Sequence, residues 1–141
     1  MVRDGKDLYA FGRSKYRWGT SFSYNLYQVK DDKRARRWSV DIPVLARSMV
    51  KAGDKLIVIG PKKLYDEKKV LQTLEEPSTA AKIKAQAESW NKTADLLVVT
   101  AADGNVEQTV SFDLAPVWDG VAVAEEALFL SATDGALYRL Q

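Results

Sequence analysis

The sequence predicts an all-β protein of about two and a half units of four antiparallel strands, with one inserted α-helix near residues 78–92. Three observations predict it: an internal repeat, strand-type alternation in both copies, and one helix-period segment that interrupts the repeat. Setting residues 38–58 against 110–130, a shift of 72, pairs Ser39 with Ser111, Asp41 with Asp113, Ala52 with Ala124 and Leu56 with Leu128 as identities. Trp38/Val110, Val40/Phe112, Ile42/Leu114, Met49/Val121, Ile57/Phe129 and Val58/Leu130 are apolar in both copies, and no gap is needed. The shared alternation, more than the identities, marks a duplicated unit.

Within the unit, Trp38, Val40 and Ile42 alternate with Ser39 and Asp41, and Val106, Val110, Phe112 and Leu114 fall on one parity. Period 2 of this kind is a strand with one face inward. Leu56–Ile59 and Ala127–Leu130 are instead continuous apolar runs, too short for a free-standing helix, as expected of strands covered on both faces. Gly53-Asp54, Asp103-Gly104 and Asp134-Gly135 are turn signals, and the two Asp-Gly pairs predict tight hairpins with positive φ at glycine. Residues 98–104 and 129–135 resemble one another at a shift of 31. From Glu76-Pro77-Ser78 onward, Ile83, Ala87 and Trp90 stand at i, i+4 and i+7, a helix with a narrow apolar stripe. The stripe is expected to pack Ile83 and Trp90 on a sheet edge or rim; the alternative is a helix that docks a partner. Without this insertion the period shrinks to roughly 40–45 residues, the length of a four-stranded β-propeller blade.

Composition narrows the chemistry. The chain has no histidine and no cysteine, which removes imidazole bases, Ser-His-Asp and Cys-His arrangements, thiol nucleophiles, zinc knuckles, iron–sulfur sites and disulfides. No apolar run approaches the roughly 20 residues of a bilayer span, and residues 1–7 lack the apolar region of a signal peptide. The net charge of +2 averages two unlike parts: +9 over residues 1–92 (20 basic, 11 acidic) and −7 over 93–141 (1 basic, 8 acidic). That asymmetry fits either a polyanion-binding basic face or two lobes whose opposite charges attract.

The segments Leu8-Tyr9-Ala10-Phe11-Gly12-Arg13, Tyr16-Arg17-Trp18, Tyr24-Asn25-Leu26-Tyr27 and Arg37-Trp38-Ser39-Val40-Asp41-Ile42-Pro43-Val44 resemble a known family. They are similar to the last third of the PQQ-binding-like (quinoprotein-like) β-propeller proteins of planctomycete-type bacteria. Ala46–Val50 with Leu56–Pro61, and Pro116–Ala124 with Leu128–Ser131, extend the resemblance over nearly the whole chain. It implies a partial β-propeller, residues 1–141 being the C-terminal portion of a longer domain. Residues 8–42 would supply the outer strands of one blade, 46–114 a blade carrying the helix, and 117–140 the start of a terminal blade. It implies an extracytoplasmic, periplasmic parent and, as partners, the remaining blades or another protein chain. Unpaired edges at Leu8–Phe11 and Leu137–Leu140 would favour oligomers.

Dehydrogenases of that family hold PQQ over calcium with acidic and amide ligands. This sequence offers such residues only in kind, so the expectation is no catalytic residue, no cofactor and no metal. Trp118 and Asp119, at the start of an inner strand, are candidate binding residues; the alternative is packing between units and a turn carboxylate. Trp18, between Arg17 and Gly19, is the candidate exposed aromatic. Lys30, Lys33, Arg34, Arg36 and Arg37 form a basic cluster with Tyr16, Trp18, Tyr24 and Tyr27 nearby, and Lys62-Lys63 and Lys68-Lys69 add two more. Asp31 and Asp32 dilute that cluster, and a charged hairpin tip explains it equally, so nucleic acid is not the favoured partner. The expected function is a non-catalytic scaffold or binding module. The alternatives are a segment of a PQQ-dependent dehydrogenase and polyanion binding through the basic first half.

Overall fold

The structure, a computed structural model, describes residues 1–13, 23–30 and 35–141. The chain is mostly β, arranged as three antiparallel sheets in which sequential strands are neighbours. The first sheet holds β1 (Val2–Asp4), β2 (Asp7–Arg13), β3 (Tyr24–Lys30) and β4 (Arg36–Val40). The second holds β5 (Ser48–Ala52), β6 (Lys55–Gly60), β7 (Ala94–Thr100) and β8 (Val106–Phe112), with α1 (Glu67–Gln72) and α2 (Pro77–Ser89) inserted between β6 and β7. The third has three strands, β9 (Pro116–Ala124), β10 (Ala127–Ala132) and β11 (Leu137–Leu140). The sheets do not close on one another. Among the described residues no helix is long and apolar enough to cross a membrane.

The 72-residue shift lays strand on strand: residues 55–60 of β6 fall on 127–132 of β10, β5 falls inside β9, and β4 inside β8. The continuous apolar runs have their physical reason in the stacking. On β6, Leu56 and Val58 enter a core shared with Tyr9, Leu26, Ile42 and Val44, while Ile57 and Ile59 face a second core with Leu130 and Leu128. β7 alternates in the same way, Leu97 and Val99 to one side, Leu96 and Val98 to the other. The second sheet is therefore apolar on both faces because a sheet lies on each. β5 sits between β1 and β9, so the first strand of each sheet lies on the same side of the stack.

Three details differ from expectation. The first sheet begins at Val2, not near residue 8, because β1 pairs with β2 through Val2↔Tyr9, Arg3↔Leu8 and Asp4↔Asp7; three residues are too few to show a period. A second helix, α1, precedes the expected one; it buries only Val70 and so carries no stripe, and Asp66 caps it by accepting from the Lys68 N–H at 2.9 Å. The Asp-Gly pairs do not form two-residue hairpins. Their aspartates accept from the backbone N–H two residues on (Asp103 from Asn105, Asp134 from Ala136, both 2.9 Å), and Gly104 and Gly135 follow with φ of 80° and 85°. At Gly104 a side chain is also excluded by packing, since a Cβ would lie 2.8 Å from the Trp38 ring. Trp38 is itself held between the first two sheets, donating from Nε1 to the Ala101 carbonyl at 3.1 Å.

The hairpin between β9 and β10 is strained. Ala124 pairs with Ala127 across Glu125-Glu126, which have φ of 48° and 59°, the two positive angles of a type I′ turn on residues that disfavour them. Glu125→Asn with Glu126→Gly is expected to stabilise the fold by about 1 kcal/mol, read as a higher urea midpoint at unchanged slope. A lower midpoint would show that the turn is not of this type.

Candidate functional site

The helical insertion reaches all three sheets, and a cleft lies beneath it. Toward the first sheet, Glu67 of α1 pairs with Arg13 of β2 at 2.9 Å. At the segment that leaves β6 of the second sheet, Gln86 of α2 is buried and uses both ends of its amide: Oε1 accepts from the Leu64 N–H at 2.8 Å and Nε2 donates to the Lys62 carbonyl at 3.0 Å. Toward the third, Trp90 meets Trp118 with ring centres 6.5 Å apart. The anchor in the middle of α2 is thus Gln86, a polar residue that hydrophobic periodicity passes over. Trp90 packs as the stripe predicts, but Ile83 remains 37% exposed and lines the cleft.

Trp118 stands in the cleft because β9 bulges. The β9–β10 register runs Leu128↔Val123 and Leu130↔Val121, then jumps to Ala132↔Pro116, so residues 117–120 bow away opposite Ser131. Asp119 takes φ 54° in the bulge and donates its N–H to the Arg47 carbonyl at 3.3 Å. Aspartate tolerates the left-handed region better than most residues. A Cβ on Gly120 would lie 2.9 Å from the Ser131 carbonyl oxygen, so the bulge needs glycine there. The outcome is an indole 63% exposed, held on a rigid support.

Under the two tryptophans lies Arg47, 6% exposed. Its guanidinium carbon is 5.0 Å from the Trp90 ring centre and 5.6 Å from that of Trp118. Nη1 donates to the Pro116 carbonyl at 3.1 Å and Nη2 to Asn91 Oδ1 at 2.8 Å, tying the entry to β5 to β9 and to the end of the insertion. Nε has no hydrogen-bond partner, and among the described residues no carboxylate pairs with the group. Burial pushes its pKa below the ordinary arginine value, the direction expected of a cation without a counter-charge. Two spaces that share part of their walls open nearby. One, of about 490 Å³, is walled by Phe11, Tyr24, Tyr65, Ile83, Trp90 and Trp118. The other, of about 240 Å³, is lined by Arg47, Ser48, Met49, Trp118 and Asp119; the two share Phe11, Ala46 and Trp118.

Of the residues singled out from the sequence, Trp118 and Asp119 come together here, and Arg36 and Arg37 do not. Arg36 lies 3.6 Å over the Tyr27 ring on the first sheet and donates to Ser39 Oγ and the Arg13 carbonyl; Arg37 is exposed on β4. Trp18 and Arg34 lie outside the described residues. Lys63 is engaged by Asp41, and Lys55 bonds Glu107 at 2.6 Å, an ion pair between the basic and acidic parts of the chain. Arg47 is the residue the sequence reading passed over, being one arginine among many until the fold buries it. No protein-family model matches the chain, and neither a curated protein nor a solved structure matches it.

Proposed function

We propose that the chain is a non-catalytic scaffold and binding module, part of a larger β-propeller of the PQQ-like repeat type, which the resemblance would place outside the cytoplasm. The observation that carries this reading is the strand-on-strand 72-residue repeat together with a third sheet of three strands beside two of four. In the second sheet β8 follows β7, whereas among the described residues no strand pairs with the outer edge of β11. At that place a groove of about 560 Å³ opens among Ile57, Val98, Val110, Phe112, Leu128 and Leu140, and Leu137 is 67% exposed. An open edge over an apolar groove supports completion by a further strand, from remaining blades or from another chain. Neither the dehydrogenase nor the polyanion alternative has a positive observation of this kind, and Arg36 is already occupied locally.

The native mass of the protein carrying residues 117–141 tests the proposal. Immunodetection in the source cells is expected to show a product several-fold heavier than 15.7 kDa, or a 15.7 kDa chain that sediments as an assembly. A folded 15.7 kDa monomer would overturn it.

A further inference from the structure

We propose that the cleft beneath the helical insertion binds a small organic acid, its carboxylate held at Arg47 and Ser48 and its flat apolar body laid against Trp118 and Phe11. The inference goes beyond the scaffold reading, because it concerns a site wholly within this chain.

Two observations carry it. Arg47 is a nine-tenths buried cation with no counter-charge among the described residues, and the residues Arg47 and Ser48 both line the 240 Å³ space, each holding a covered polar atom without a partner, Nε and Oγ. A buried charge of this kind costs free energy that an incoming anion would recover, and the low local dielectric strengthens that attraction. Carboxylate matches the guanidinium plane, and a serine hydroxyl can donate to it. Independently, Trp118 is a large apolar surface left mostly in water by a bulge with a left-handed residue, and it borders the larger, aromatic-walled space. Cation below and ring above define a ligand with both an anionic and a flat apolar part. Among the described residues Asp119 is the one acid lining the smaller space; its residue is exposed, so water screens it more than it screens Arg47. It opposes the anion and sets a tunable term.

Phenylacetate and its neutral isostere phenylacetamide, titrated against the purified chain with tryptophan fluorescence as readout, test the proposal. Phenylacetate is expected to give a saturable change and phenylacetamide to bind at least tenfold more weakly. Asp119→Asn should tighten phenylacetate about threefold and leave the amide unchanged. Arg47→Met, which keeps the stem between the rings, should bring the two ligands to equal affinity, and Trp118→Ala should weaken both. Far-UV circular dichroism checks that each variant is folded; if Arg47→Met is not, the acid-to-amide ratio of the unaltered chain and the Asp119→Asn shift still decide. Equal binding of acid and amide by the unaltered chain, or no saturable response from folded protein, would overturn it. Neither result bears on assembly, which the native mass measures.

Discussion

Leu56→Ala is expected to cost about 3–4 kcal/mol of folding stability, against roughly half that for Phe129→Ala. Both residues sit in the continuous apolar runs that the repeat aligns, Leu56 at the position of Leu128 and Phe129 at that of Ile57, and from the sequence both read as central-strand core. The structure separates them. Leu56 has no exposed surface and lies in the core between the first two sheets, which together bring eight strands to it. Phe129 is only half-buried in the three-stranded sheet, where Leu130 is the fully buried neighbour. Truncation at Leu56 therefore loses the whole transfer free energy of the side chain and leaves a cavity in a site hemmed by two sheets. Truncation at Phe129 loses part of a side chain whose remainder is already in water. Since domains of this size are stable by about 5–15 kcal/mol, Leu56→Asp, which adds an unpaired buried carboxylate, should yield no soluble folded protein. Urea unfolding of the two alanine variants measures the difference. Equal midpoints would remove the assignment of Leu56 to a core covered on both sides.

The second large effect is expected at Gly60, the last residue of β6. A Cβ built there would run into the Leu45 carbonyl oxygen, and would lie 2.8 Å from the Leu45 carbonyl carbon and 3.1 Å from the Ala46 Cα. These are backbone atoms, which cannot rotate aside as a side chain could. They are also held in place, because Leu45 donates its N–H to the Pro61 carbonyl and Arg47 to the Ile59 carbonyl, both at 2.9 Å. Gly60→Ala must therefore break this pairing, at a cost of about 3 kcal/mol or more. Because Leu45, Ala46 and Arg47 border the cleft, the same change should alter the environment of Trp90 and Trp118. The expected result is a lowered urea midpoint together with a shifted tryptophan emission in the still-folded protein. An alanine variant with the parent's midpoint and emission would show that the strand and segment 45–47 are not in contact.

Much of the architecture was legible. The period-2 alternation around Trp38, the doubly covered run at Leu56–Ile59, the helix after Pro77 and the repeat itself follow from local hydrophobic pattern, which strands and helices express directly. Short or polar features were not. β1 has three residues and α1 buries one, so neither carries a period. Gln86 anchors α2 through amide hydrogen bonds, and a buried polar anchor looks like any solvent-facing residue until its partners are known. Of the candidate site, Trp118 and Asp119 were legible as a pair at the start of an inner strand, whereas Arg47 had no distinguishing neighbour in the chain.

What the residues determined by themselves is therefore the β class, the duplicated unit, the place of the insertion, and the exclusion of thiol and imidazole chemistry. The tertiary structure alone decided that the insertion, which leaves and re-enters the second sheet, touches the first and third, that β9 bulges to lift an indole into water, and that Arg47 is buried with no counter-charge among the described residues. The division has one physical cause. Alternation and period are properties of consecutive residues, but Arg47, Asn91 and Pro116 are far apart in the chain, and only the stacking of sheets brings two rings to 5.0 and 5.6 Å from one cation.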